Sequence, residues 1–343
     1  MPWWRSSIGL WPIRLAARAI CLRPIRARLF FHVFITGQGS SIMDEIVRLG
    51  MNGSQAQRCR AAEALETMDP DRRAAVSIRL FDSPYKDIRE WIWDNVEAIP
   101  PEIWIEAMRQ ALSAGVGLRQ MGVLARQGIL VVMQTLACDF PGELDDFARD
   151  CLDDEDSDVR YHAFCVAEMR RASGEEYEKR VKSCLECEDV DFRIIAIQAV
   201  RRLKPSWGCD AIKVRVRYAT GLEAFHARLA LLHLCTPEER RNCVEALIPD
   251  ILNDRYAFAA IEAVGLFAEY GSPEVIRALM SVAKGFFTEP TVGVAAAAAA
   301  ARMGSADGLR WLQKCASSDK GNPEYARILL TKLGGTWHGL PQA

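Results

Sequence analysis

From Met43 onward, small and apolar residues recur three and four positions apart behind short polar turns, the spacing of one face of a helix. Two segments show it most plainly. Asp156 to Ala167 and Asp189 to Val200 each open on an acidic turn, place an arginine, and continue with small residues at helical spacing. Their arginines, Arg160 and Arg193, stand 33 residues apart. The same frame fits Arg58 with Ala61, Ala64 and Leu65, Arg89 with Ile92 and Val96, and Arg119 with Gly122 and Ala125. Downstream the arginine is lost and the small positions persist, at Ala227, Ala230 and Leu231, at Ala260, Ala263 and Val264, at Ala296, Ala299 and Ala300, and at Ala326, Leu329 and Leu330. The frame gives about nine units, spaced 30 to 41 residues.

Further helices lie between these segments, with start signals of their own. Pro101 and Pro141 each begin one. Thr236-Pro237-Glu238-Glu239 combines an N-cap, a proline in the first turn and acids at the positive end of the helix dipole, and Ser272-Pro273-Glu274 repeats the device. Gly304 closes one helix and Ser305 caps the next. The chain carries no sustained alternation of apolar and polar residues and no hairpin turn signal between such runs, so no strand is predicted. The expected fold is all-α, an α-solenoid (α-α superhelix) of about nine helix pairs. One pair cannot bury its apolar face alone, and stacking on the next pair covers it.

The residues that carry the frame, Asp156-x-Asp158-Val159-Arg160 and Asp189-x-Asp191-Phe192-Arg193, with the turns Gly271-Ser272-Pro273-Glu274 and Gly304-Ser305-Ala306-Asp307, resemble the HEAT-repeat family. The short units are similar to the bacterial, phycobilisome-lyase-type HEAT repeats, and the resemblance covers residues 43–335. It implies architecture rather than activity. It also implies that the recurring arginine joins a ladder with the acidic turn of a neighbouring unit.

Residues 1–42 break the pattern. They hold six of the chain's 43 basic residues, all arginine, and none of its 45 acidic ones, together with Trp3, Trp4, Trp11, Phe30, Phe31 and Phe34. Three readings of this arm stay open: a targeting peptide, a membrane-surface anchor, or untranslated sequence ahead of a start at Met43. Arg14, Arg18 and Arg23 interrupt any signal-peptide core. The arm is set apart from the expected fold at 43–335, and residues 336–343 form a C-terminal tail.

Charge and chemistry narrow the function. The net charge is −2, so a general nucleic-acid binder is not expected. No apolar run reaches the roughly 20 residues of a membrane span, and a membrane is an expected partner only through the 1–42 arm. Eleven cysteines, mostly inside apolar helical patterns, fit reduced thiols in the cytoplasm. Cys184-x-x-Cys187 lacks a second pair or a redox-fold context, and reads as two thiols near a helix end. Asp153 to Asp158 lacks the glycine and glutamate of a calcium loop, and reads as a capping turn. Gly115-Val-Gly117 and Gly37-Gln-Gly39 are incomplete as phosphate loops. No catalytic motif occurs, so no catalytic residue, cofactor or metal is expected. Arg201, Arg202, Lys204, Lys213, Arg215 and Arg217 form a basic cluster with Trp207, a weak echo of HEAT-like DNA glycosylases opposed by the acidic turns.

The expected role is a non-catalytic scaffold that binds a protein. The alternative is an accessory to a chromophore or small-molecule enzyme system, similar to phycobilin lyases. The two positions after the frame arginine hold Trp91, Met121, Tyr161, His162, Ile194, Ile195, Phe225 and His226, and Phe258 falls on the same ridge. Trp91, Tyr161, His162, Phe225, His226 and Phe258 are the candidate partner-binding residues. One rotation of the helix by a single residue would instead put these side chains into the gap between repeats.

Overall fold

The computed structural model describes residues 39–113, 121–136, 140–285, 289–318 and 322–334. Among them there is no strand, and helices joined by short turns make up the described residues. It divides into two compact units at residue 180, within one helix. The first unit contains α1 (Gly39–Asn52), α2 (Gln55–Glu66), α3 (Pro70–Leu80), α4 (Lys86–Asp94), α5 (Pro101–Ser113), α6 (Val123–Leu136), α7 (Gly142–Asp150) and α8 (Ser157–Met169). The dividing helix is α9 (Glu175–Glu186). The second unit continues with α10 (Val190–Leu203), α11 (Gly208–Tyr218), α12 (Gly221–Leu234), α13 (Pro237–Glu245), the single turn α14 (Ile248–Ile251), α15 (Ala257–Leu266), α16 (Pro273–Lys284), α17 (Pro290–Arg302), α18 (Ala306–Ala316) and α19 (Pro323–Gly334). Residues 1–38 and 335–343 lie outside the described residues, and α1 opens at Gly39, four residues before Met43.

Packing runs from neighbour to neighbour. In the first unit α1, α3, α5 and α7 touch in succession, and so do α2, α4, α6 and α8. In the second unit α10 packs on α12, α15 on α17 and α17 on α19, while α13 packs on α16. Helices two apart in sequence therefore share a layer, and sequential helices join the layers.

The start signals read from the sequence form as caps. The Asp156 and Asp189 carboxylates each accept two backbone N–H groups at the openings of α8 and α10. Thr236 and Glu239 make a reciprocal capping box on α13, and the Ser272 hydroxyl accepts from the Val275 N–H on α16. Gly304 adopts φ 88°, a left-handed conformation suited to glycine, and the Ser305 hydroxyl then accepts from the Gly308 N–H at 3.1 Å. The first core gathers around Phe81, Trp104, Ile129, Leu130 and Met133, all buried, with the Phe81 and Trp104 rings stacked at 6.4 Å. The second gathers on α17, whose alanines from Ala295 to Ala301 are all buried between α15, α16, α18 and α19.

Alanine allows helix axes to come close, and α17 shows how close. A Cβ on Gly308 of α18 would lie 2.8 Å from the Ala297 carbonyl oxygen and 2.9 Å from the Ala301 nitrogen, both backbone atoms of α17. Backbone cannot yield as a flexible side chain can. Gly308→Ala is therefore expected to lower the thermal midpoint, with an overpacking cost of about 1–3 kcal/mol. Gly142→Ala, where an added Cβ meets nothing within 4 Å, serves as the comparison. Melting followed by circular dichroism checks this; equal midpoints for both variants would contradict the close approach.

Candidate interaction surface

The frame arginine is the fourth residue of its helix in five cases: Arg58 on α2, Arg89 on α4, Arg126 on α6, Arg160 on α8 and Arg193 on α10. Every one of the five folds back to donate to a backbone carbonyl five or six residues upstream, in the turn before its own helix. Arg58 reaches Gly53, Arg89 reaches Ser83, Arg126 reaches Met121, Arg160 reaches Asp154 and Glu155, and Arg193 reaches Cys187 and Glu188. Three of them reach forward as well. Arg58 pairs with Asp87 at 2.7 Å, Arg126 with Asp154 at 2.7 Å, and Arg193 with Glu223 at 2.7 Å, each acid 28 to 30 residues on. The planar guanidinium, with donors on both edges, can serve two turns at once. These contacts hold the Arg126 and Arg193 cations above their ordinary range, with the carboxylate hydrogen bond as the largest cause.

Arg119, expected as a frame residue, lies outside the described residues, and Arg126 holds the structural position. The offset is seven residues, two turns of helix, so the small-residue pattern reads alike in either register. Two further contacts were not anticipated. Arg228 pairs with the buried Asp250 at 2.7 Å. Arg240, fourth residue of α13, donates to the Cys235 carbonyl and packs against the Phe267 and Tyr270 rings.

The candidate partner-binding residues separate by one helical position. The fifth residue of the helix turns inward from α10 to α17, where Ile194, Phe225, Ile261 and Val294 are all buried. Phe225 is thus core, 4% exposed and stacked on Tyr256 at 4.8 Å, contrary to the expectation of an exposed aromatic. The sixth residue is the more open one. Trp91 on α4, His162 on α8 and His226 on α12 occupy it and are half-buried. Ile195 at the same place on α10 is buried, and Met121, ahead of α6, is also buried. Tyr161 is half-buried against the His162 ring at 5.4 Å, and Phe258, second residue of α15, is half-buried against the core. The Arg73 guanidinium lies over the Trp91 ring at 5.3 Å, and Gln134 bonds the His162 carbonyl at 2.8 Å. At this position the Trp91 ring is held by Arg73 and the His162 ring lies 3.0 Å from the Gln134 amide nitrogen.

The other motifs are absorbed locally. Asp154 and Asp156 are engaged by Arg126 and by backbone N–H groups. Cys184 and Cys187 are half-buried at the end of α9, and the Cys187 thiol donates to the Asp189 carbonyl. Within the basic cluster Lys213 pairs with Glu239 at 2.7 Å, and Arg215 lies 3.8 Å from Glu223. No helix of the described residues is long and apolar enough to cross a membrane.

No family model matches the chain, and no curated protein matches it. Among solved structures, an engineered protein from the Northeast Structural Genomics Consortium is similar at a TM-score of 0.41 and 18% identity, over 85% of this chain and 88% of that one.

Burial pushes the imidazoles of His162, His226 and His233 from 6.5 down to about 4. The folded chain keeps these rings neutral where the unfolded chain protonates them. Between about pH 6.5 and 4 the unfolded state binds more protons, so stability is full above that window and falls as pH falls through it. The depressed carboxylates of Asp87 and Asp154 add their loss only at lower pH. The thermal midpoint is expected to drop between pH 7 and 4.5, and to drop less in the double variant His226→Gln, His233→Gln. A midpoint unchanged across that interval would show that the rings are solvated.

Proposed function

We propose that the chain is a HEAT-type α-solenoid and acts as a non-catalytic scaffold for a protein partner. The observation that supports this most is the sixth-position row. Trp91 of α4, His162 of α8 and His226 of α12 are half-buried at the sixth helix position, while Gly128 of α6 and Ile195 of α10, at the same position between them, are buried. Braced aromatic and imidazole side chains lose little freedom on binding, which is how hot-spot residues of interfaces behave. The neighbour-to-neighbour packing agrees with stacked repeats, and the fourth-position arginine recurs as the frame of such repeats requires. The proposed binding residues are Trp91, Tyr161, His162, His226 and Phe258, with Phe225 packed beside His226.

Substitution separates binding from folding. Trp91→Ala and His226→Ala are expected to shift the melting midpoint little and to reduce capture of the native partner from cell extract at least tenfold, about 1.4 kcal/mol per variant. Phe225→Ala is expected to melt early, at the cost of about 3–5 kcal/mol typical of a core aromatic. Undiminished capture by Trp91→Ala and His226→Ala would reject the row as the binding surface. Visible absorbance of the purified protein from a bound chromophore would favour the accessory reading instead.

A further inference from the structure

Cations from the end of α10 and the start of α13 converge on one imidazole. His233, in the last turn of α12, stands edge-on to the Phe267 ring at 5.1 Å, and the Arg240 guanidinium lies over the same ring at 5.2 Å. Arg201, in the last turn of α10, and Lys204, the C-cap of that helix, are close enough to act on the His233 charge, as Arg240 is. Burial first, and these three cations next, keep the ring neutral. Arg201 acts on His226 as well. No carboxylate acts on His233 among the described residues. Arg240 donates to the Cys235 carbonyl and the Tyr270 hydroxyl, both uncharged, and neither Arg240 nor Lys204 takes part in an ion pair among the described residues. Lys204 also holds its place under backbone strain. At φ 52° and ψ 49° it occupies the left-handed conformation in which a helix ordinarily ends on glycine. A strained residue kept where an easier one would fit points to a use for its side chain.

Three cations around a neutral ring suit an anion of more than one charge. A carboxylate brings a single charge and two acceptor oxygens. A phosphate monoester brings about −1.5 to −2 charges at pH 7 and three acceptor oxygens, which two guanidinium groups and an ammonium can share. The imidazole adds a further polar contact, and it takes up a proton more readily once an anion offsets the cations around it. We propose that Arg201, Lys204, His233 and Arg240 form a binding site for a phosphate monoester. A nucleic acid fits less well. Its phosphodiesters carry one charge each and need a long basic track, and the cations beyond this cluster are taken up by acids, Lys213 by Glu239 and Arg215 by Glu223. The site is independent of the scaffold reading, because none of its four residues belongs to the sixth-position row.

Nuclear magnetic resonance of the full chain tests it through the His233 ring, assigned by the loss of its signal in His233→Gln. Inorganic phosphate is added at pH 7, with chloride at equal ionic strength as the control. Saturable shifts with Kd on the order of 1 mM are expected from phosphate and not from chloride. Phenyl phosphate and a phosphoserine peptide, titrated in the same way, are expected to bind at least as tightly, and the tighter of the two tells a small ester from a modified protein as the source. Lys204→Gly is the deciding variant. Glycine suits the backbone there, so the melting midpoint is expected to hold or rise while Kd rises about fivefold. Arg240→Gln is expected to raise Kd about tenfold, and Arg217→Gln, which removes an exposed cation of α11, is expected to leave it unchanged. Shifts that do not saturate, equal shifts from chloride, or a Kd indifferent to Lys204→Gly overturn the proposal. So does an equal loss from Arg217→Gln, or an oligonucleotide without terminal phosphate that binds tighter than phenyl phosphate.

Discussion

One side chain placed at one position organises much of this molecule. An arginine at the fourth residue of a helix is close enough to its own preceding turn to donate to the carbonyls there, which the helix itself leaves without partners. Its other edge points on toward the start of a following helix. Arg58, Arg126 and Arg193 use both edges, so each ties the entry of its own helix to an acid of the following unit. The Arg126 and Arg193 pairs are well shielded. The side chains of Asp154 and Glu223 are each 5% exposed, which places these bonds outside the class of surface ion pairs that contribute little.

Beyond α10 the fourth position changes character. It becomes Ala224, Ala260, Gly293 and Ala326 on α12, α15, α17 and α19. Closeness replaces the tether there. The alanines of α17 let four helices pack on it, and contact over a long flat face makes up for the missing guanidinium. Arg228 with Asp250 adds polar cross-linking from another position, and Arg240 keeps an arginine at the fourth position of α13, where it bonds the Cys235 carbonyl and the Tyr270 hydroxyl. The two halves thus reach one packing scheme by different chemistry.

Much of this was legible in the residues because the signals are local. Caps at Asp156, Asp189, Thr236, Ser272 and Ser305 depend on side chains within three residues of the backbone they serve. The arginine register was legible at Arg58, Arg89, Arg160 and Arg193, and Arg126 was passed over for Arg119 because a seven-residue slip preserves the helical face. The orientation of the candidate surface was less accessible. Residues five and six of a helix differ by 100° of rotation, and that rotation is set by packing against neighbours rather than by the helix itself. Phe225 and His226 are adjacent in sequence, yet one is core and the other half-open. Arg228 and Arg240 went unnoticed because their partners, Asp250 and Tyr270, stand 22 and 30 residues away with no motif joining them.

The claim that the arginine ties consecutive units is most directly tested by a double-mutant cycle on Arg193 and Glu223. Stability is measured for the parent, Arg193→Ala, Glu223→Ala and the double variant. A shielded, bidentate bond between units predicts that each single change is costly and that the double costs less than the sum, with a coupling of about 1–3 kcal/mol. A coupling within about 0.5 kcal/mol of zero would mean that the two side chains act independently and that helix packing alone holds α10 against α12.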